Sequence, residues 1–280
     1  MVMKVTKVSK QTKQKPSTKQ NYGKLLTSTA AAALLDVNQS TVKRWADEGV
    51  LKHVRTAGGH RRFRIEDIFE HKKPSHSKIE QWINLLIDHP SPYKVQGNLL
   101  LLHDEYGSWA KAMGFITSVM VEFGERWRSN KIQIHEEHLA THRLERSIEQ
   151  ISDSIQTAQR APLVLLATPS QEFHSLSLCM LELCLKELGW KTIYIGKNTP
   201  TSNLVECIKN GTISVVALSA SKNFQDAKVL KKIITDLAPV CIANNTKLWL
   251  GGGGAWPDPP SYGVRFRSFL RLPSPFDSES

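Results

Sequence analysis

Five apolar residues in a row, Leu163-Val-Leu-Leu-Ala167, lie between Pro162 and Pro169. A run this short, apolar on both alternating faces and closed by proline at each end, fits a strand buried on both sides. Such strands belong to parallel sheets covered by helices. Thr168–Gln171 reads as a turn, and from about Ser175 the residues Leu176, Met180, Leu183 and Leu188 recur at helical spacing. The unit is strand, loop, helix. It places Glu172 and His174 on the loop outside the carboxyl end of a parallel strand, where open α/β sheets bind ligands. A histidine there can offer a ring nitrogen to a metal, and a carboxylate two residues away can orient the ring. Taken alone, the pair also fits an ordinary surface histidine near a helix start.

The alternation continues downstream. Strands are expected at 163–167, 192–195, 214–218 and 248–250, with helices at about 175–188, 201–209 and 224–237. That is the order of a Rossmann-like parallel-sheet domain. Val264–Phe266 is a candidate edge strand. Upstream, Ile79–Ile87, Asn98–Tyr106, Ser108–Trp127 and Ile134–Gln156 carry helical periodicity, separated at Pro90-Ser-Pro92, Gly107 and Ser129-Asn130. Four helices on short loops predict an antiparallel four-helix bundle. The 280 residues leave room for more than one core. The expected fold class is thus multidomain α and α/β. No apolar run reaches the length of a membrane span, and Cys179, Cys184, Cys207 and Cys241 form no C-x-x-C pair. Buried free thiols, a cytoplasmic location and no membrane partner are expected.

Charge divides the chain. Residues 1–73 carry 16 Lys and Arg against 6 Asp and Glu, whereas residues 74–280 carry 21 against 20. A basic first quarter on a neutral remainder fits a nucleic-acid-binding module joined to a partner domain. Residues 1–23 are expected to be a disordered basic arm. Beyond it, Ala30–Leu35 predicts a short helix entered from Thr27 or Ser28, Asp36-Val37-Asn38 a turn, and Asn38 the cap of a second helix running to about Glu48. Val42 and Trp45 mark that helix's apolar side and Thr41, Lys43 and Arg44 its other side. This is a helix-turn-helix whose second helix is of a size to enter a major groove. Gly58-Gly59 permits a tight hairpin flanked by Arg55, His60, Arg61, Arg62 and Arg64, a basic wing for phosphates or the minor groove. Ile65–His71 closes the module as a helix, and Lys72–Ser77 reads as a linker.

The segment resembles the MerR family of DNA-binding domains. The matching residues are Ala33-Leu-Leu-x-Val37, Ser40-Thr-Val-x-Arg-Trp45, Glu48-Gly-Val-Leu51 and Thr56-x-Gly-Gly-His-Arg-Arg-Phe63. Asp36 stands where glycine is common in the first turn.

Three further motifs follow in order. Trp127 precedes Glu137-His138 by ten residues; Glu172-x-His174-x-x-Ser177 follows; Ser219-x-Ser221 and Gly251-Gly252 stand at later strand ends. Small residues at those ends are expected to leave the sheet's mouth open to a large flat ligand. Over residues 26–254 the chain resembles the cobalamin-binding light-sensing regulators of the CarH/LitR group. The Trp-x9-Glu-His spacing matches, Ser177 replaces the last glycine of a D/E-x-H-x-x-G motif, and Ser219-x-Ser221 matches a Ser-x-Leu imperfectly. The resemblance implies that His174 is the lower axial cobalt ligand, with the cofactor's own base displaced into the sheet domain. It implies that Trp127, Glu137 and His138 cover an upper adenosyl group, and that Glu172, Ser175, Ser219, Gly251 and Gly252 complete the cofactor site. It further implies a homo-oligomer, a tetramer in the pattern, that light breaks apart to release double-stranded DNA. Arg128 departs from the pattern, which has a histidine there. A guanidinium stays protonated and cannot ligate cobalt.

The expected boundaries are therefore a basic arm at 1–23, a winged helix-turn-helix at 24–73, a four-helix bundle at 78–158 and a cobalamin-binding α/β domain at 161–280. The expected function is a non-enzymatic, cobalamin-controlled repressor, adenosylcobalamin being the expected form. A regulator of the same build without cofactor, and a corrinoid methyl carrier, are the rivals. His135, His138 and His142 share a helix face, but His135-Glu-Glu-His138 is one residue short of H-E-x-x-H. No G-x-S-x-G marks a hydrolase.

Overall fold

The computed structural model describes residues 25–35, 37–71, 75–88 and 91–276. The basic arm, Asp36 and residues 72–74 of the expected linker lie outside the described residues. The chain divides into two units, Met1–His71 and Lys72–Ser280.

In the first unit a three-residue strand, β1 (Leu25–Thr27), leads into α1 (Ser28–Leu35), where the Thr27 hydroxyl accepts from the Ala30 N–H at 3.1 Å. After the turn, α2 (Gln39–Asp47) starts from Asn38, whose extended backbone suits a cap although its side chain makes no capping bond. β2 (Val54–Arg55) and β3 (Arg61–Arg64) pair antiparallel around the Thr56–Gly59 turn, with Gly59 at φ +77°, and α3 (Ile65–His71) closes the unit. β1 pairs with the other side of β3, so the wing belongs to a three-stranded sheet. Three residues are too few for periodicity to reveal β1. Ala31, Val42, Ala46, Leu51, Phe63 and Ile68 form the buried core.

The second unit begins with α4 (His76–Asp88), α5 (Pro92–Tyr106), α6 (Trp109–Arg128) and α7 (Ile134–Ser154). Two expectations need correction. His76 and Ser77 belong to α4 rather than to a linker, and α5 starts six residues before Asn98. Pro92 opens α5 because a first-turn proline lacks only an N–H that would have no helical partner. The sheet domain follows as β4 (Leu163–Pro169), α8 (Leu176–Glu187), β5 (Lys191–Thr199), α9 (Thr201–Asn210), β6 (Val215–Ser219), α10 (Ala227–Ala243), β7 (Lys247–Gly251) and β8 (Val264–Arg265). α10 runs past Leu237 through Pro239, its last turn held by buried Val240 and Cys241. The strand order is β5-β4-β6-β7-β8, and every pair is parallel. The connection from β4 leads outward to β5 and that from β6 leads the opposite way to β7, so the topological switch point lies at the carboxyl ends of β4 and β6.

α8 is apolar nearly all round, the pattern of a helix buried on more than one side. Leu178 and Leu185 pack with Val164, Leu166 and Val215 of the sheet. Cys179, Met180, Leu183 and Cys184 pack into the bundle core with Leu144, Ile148 and Phe123. Bundle and sheet therefore share α8 as a common layer. Polar bonds reinforce it: the Glu187 carboxylate accepts from the Trp109 N–H at 2.8 Å and lies 2.7 Å from His103 Nε2.

The loops after β6 and β7 are zipped, the Ala220 N–H donating to the Gly251 carbonyl at 3.2 Å and the Gly254 N–H to the Ala220 carbonyl at 2.9 Å. A Cβ on Gly252, at φ +79°, would stand 2.1 Å from the Ala220 oxygen, whereas one on Gly251 meets nothing nearer than 3.7 Å. Gly252→Ala should therefore cost about 2–4 kcal/mol through overlap and backbone strain, and Gly251→Ala less than about 1 kcal/mol. Urea denaturation of the two variants checks the difference; equal midpoints would contradict the packing described.

Candidate functional site

The loop that follows β4 is pinned from below. Thr168, fully buried, donates its hydroxyl proton to the Glu172 carbonyl at 2.6 Å and accepts from the Asn198 N–H at 2.9 Å. The Asn198 side chain accepts from the Gln171 N–H at 2.7 Å, and both residues hold positive φ, a conformation Asn tolerates better than most. The result is a fixed turn that drives the Glu172 carboxylate inward, to 2% exposure.

Three donors converge on that carboxylate. Oε1 accepts from the His174 N–H at 2.8 Å and lies 2.7 Å from His174 Nδ1, and Oε2 accepts from the Ser221 N–H at 2.7 Å. The Ser221 hydroxyl stands 3.3 Å from the same Nδ1. Burial pushes the Glu172 carboxyl up, but the His174 and Ser221 donors overcome it and hold it down to about 2. His174 is raised above its ordinary value, chiefly by Glu172, with Glu137 adding to the effect and Lys197 and burial opposing it. The carboxylate thus keeps the proton on Nδ1 and leaves Nε2 as the reactive nitrogen. The His174 side chain is 60% exposed, and no hydrogen bond reaches Nε2 among the described residues. A buried carboxylate that orients an open imidazole at a sheet switch point leaves a ring nitrogen of the kind that can meet a metal. Among the described residues, no three His, Cys, Asp or Glu side chains converge to hold an ion by themselves.

The other expected site residues divide. Ser219 ends β6, and its hydroxyl lies 2.8 Å from that of Ser177 in the first turn of α8. Glu137 lies near the start of α7; its carboxylate accepts from the Thr141 hydroxyl at 2.9 Å and lies 3.6 Å from His138 Nε2. Trp127, 42% exposed, leaves its indole uncovered at the end of α6. Arg128 folds back on its own helix, to the Gly124 carbonyl at 3.3 Å and to Glu125 at 2.6 Å. Two others make packing contacts. Ser175 is buried and donates to Glu145 of α7 at 2.5 Å, so its hydroxyl joins sheet to bundle rather than lining an open site. Gly252 is exposed, and the Ala220 backbone fills the space where its Cβ would stand. Thr168 was read only as the start of a turn, and Asn198 and Lys197 went unread in the sequence. They carry no period or motif, and only Asn198, as an asparagine between strand and proline, offered a turn signal.

In the first unit, strand alternation separates the wing's arginines. Arg61 shares the face of buried Phe63, so it turns toward α2, where it pairs with Asp47 at 2.5 Å and is 20% exposed. Arg55, directly opposite Arg61, reaches the same carboxylate at 3.7 Å. Arg62 and Arg64 lie on the other face, with Arg64 and His60 exposed. On α2, Lys43 and Arg44 are exposed and Thr41 half-buried, with Arg44 3.9 Å from Glu48.

Two outcomes follow from this geometry. Arg61→Ala should lower the unfolding midpoint of the domain and leave the salt dependence of DNA binding unchanged. Arg62→Ala with Arg64→Ala should flatten the log–log salt slope by about two; the reverse pattern would contradict the assignment of faces. Glu172→Gln should lower the His174 ring titration toward its ordinary value, read by NMR. The carboxylate's contribution to stability is present above its unfolded value of 4.5 and lost as pH falls toward about 2. The wild type should therefore lose stability between about pH 5 and about pH 2 more steeply than the variant, and parallel curves would refute the assignment.

Residues 25–73 match the family model described as a helix-turn-helix domain. The HTH-type transcriptional repressor CarA of Myxococcus xanthus is 30% identical over 145 residues, 51% of this chain and 46% of that protein. The chain thus matches less than half of its curated relative's length. Among solved structures, the monomethylamine corrinoid protein of Methanosarcina barkeri aligns with a TM-score of 0.52 at 13% identity, over 70% of this chain and 95% of that one. A cobalamin-binding protein from Desulfitobacterium hafniense aligns over 62% of this chain and 83% of its own at 15% identity, with a TM-score of 0.33. The chain carries a helix-turn-helix domain followed by a bundle-and-sheet unit with the fold of a corrinoid protein.

Proposed function

We propose that this protein is a transcriptional regulator, a repressor of cytoplasmic location and no enzymatic activity, whose hold on double-stranded DNA is controlled by a cobalamin-class corrinoid bound through His174. The observation that carries the reading is the Glu172–His174 pair. A buried carboxylate fixes Nδ1–H and leaves Nε2 open, in a fold shared with a corrinoid protein and in a chain that also carries a helix-turn-helix. The residues fit the lower side of such a cofactor. His174 would hold the cobalt, Glu172 would set the ring and its tautomer, and Glu137, His138 and the uncovered Trp127 would stand over the upper face. Ser219 and Gly251 would border the lower part of the site. Bound there, the corrinoid supplies a cobalt centre with a weak, light-sensitive upper bond, and adenosylcobalamin is the form we propose.

The protein's own part is to sense what stands on the upper face. Glu137 sits on α7, and α7 is tied to the sheet through Glu145 to Ser175 and to Lys197, the latter at 3.9 Å. A group pressed against the start of α7 therefore pushes on the joint between bundle and sheet. We propose that this movement changes the assembly of a homo-oligomer, a tetramer, and so the affinity for DNA. Lys43, Arg44 and Thr41 of α2 would enter the groove, with His60, Arg62, Arg64 and Arg55 on phosphates.

A second reading is a regulator of the same build that uses no cofactor, favoured by the Ser177–Ser219 bond at the switch point. A methyl carrier would share the bundle and sheet but has no use for the helix-turn-helix. In the proposed function, adding adenosylcobalamin in the dark shifts the cofactor's absorption spectrum and changes operator affinity by about tenfold or more, and light reverses the change. His174→Ala should leave both spectrum and DNA binding unresponsive with the fold intact. A wild type that never alters the spectrum of any corrinoid would favour the cofactor-free reading.

A further inference from the structure

The lower side of the site contains a contact that bears on which corrinoid it takes. If His174 occupies the lower axial position, a corrinoid that carries its own nucleotide base must detach that base from the metal and house it elsewhere. The crevice beside His174 is the switch point, bounded by the first turn of α8 and the ends of β6 and β7. Across it, the Ser177 and Ser219 hydroxyl oxygens stand 2.8 Å apart. A flat aromatic ring needs van der Waals contact of about 3.5–4 Å on each face, so its walls must be about 7 Å apart. The two serines are far closer than that.

Neither side yields freely. Ser219 is buried and is backed by the zipped loops, where a Cβ on Gly252 would lie 2.8 Å from its hydroxyl. α8 is pinned on the other side by fully buried Leu178 and Leu185 against the sheet and by Leu183 and Cys184 against the bundle. A glycine at 177 would remove both the hydroxyl and the Cβ that meet Ser219.

We propose that Ser177 is a specificity determinant: it weakens the binding of corrinoids bearing a lower nucleotide, adenosylcobalamin among them, relative to those without one, the cobinamide class. The proposal rests on the reading of His174 as the lower ligand and goes beyond it, because that reading alone is indifferent to the nucleotide.

The test is a titration of the full-length protein with aquocyanocobinamide and with hydroxocobalamin, followed by absorption and by equilibrium dialysis. The wild type should bind cobinamide about tenfold or more tighter than cobalamin. Ser177→Gly should raise cobalamin affinity by about tenfold while moving cobinamide by less than about twofold. Ser177→Ala, which keeps the Cβ and helix propensity, should give a smaller gain in the same direction and stands in if the glycine variant is unfolded by circular dichroism. Equal affinities in the wild type, a variant that shifts both probes alike, or a folded alanine variant with no gain would overturn the proposal. If His174→Ala abolishes binding while the wild type shows no preference, the ligand assignment survives and the role of Ser177 falls. If neither probe binds the wild type or either variant, both fall together.

Discussion

A carboxylate taken almost wholly out of water has to be met by donors, since an unpaired buried charge costs several kcal/mol. Glu172 is met by two backbone N–H groups and the His174 ring. Everything at the mouth of the sheet depends on that arrangement. The Ser221 N–H ties the loop after β6 to the loop after β4, the His174 N–H closes the turn, and the ring is left with one nitrogen facing outward. Removing the carboxylate would free the imidazole to rotate and leave two N–H groups without partners. Thr168 and Asn198 serve the same end one layer deeper, because they fix the backbone that puts Glu172 inside.

The second constraint is α8, which begins just beyond His174 and is buried on two sides. The helix that carries the site into the sheet is also part of the bundle core, so sheet and bundle cannot shift independently without exposing apolar surface at about 25 cal/mol per Å². Ser175 and Glu145, Lys197 and Glu145, and Glu187 with Trp109 add polar contacts along this joint. A ligand that presses on α7 therefore acts on a packed joint rather than on a loose hinge. In the first unit the corresponding tie is Asp47, which draws Arg55 and Arg61 to the end of α2 and sets the wing against that helix.

Much of this was legible in the residues. The run Leu163–Ala167 announced a doubly buried strand, and the position of Glu172 and His174 after it followed from sheet topology alone. The order of strands and helices, and the hairpin at Gly58-Gly59, came from periodicity and turn chemistry. What escaped was of two kinds. Short or proline-marked elements gave no period: β1 has three residues, and Pro92 reads as a breaker although it opens a helix. Side-chain destinations depend on partners distant in sequence. Ser175 meets Glu145, Arg61 meets Asp47 and Ser177 meets Ser219, and no local pattern reveals those pairs. Gly252 was read as making room for a ligand, and its missing Cβ makes room for the backbone of Ala220.

In the proposed function, His174 supplies the lower ligand to a cobalt centre. This is tested most directly by electron paramagnetic resonance of the full-length protein, grown with histidine in the heavy, spin-one-half nitrogen isotope and loaded with cobalt(II) cobinamide, which has no base of its own. Coordination through Nε2 predicts that the cobalt lines split into doublets in the labelled protein and into triplets in the unlabelled one, with both patterns absent in His174→Ala. Lines without nitrogen splitting, or a splitting that survives in His174→Ala, would contradict the account.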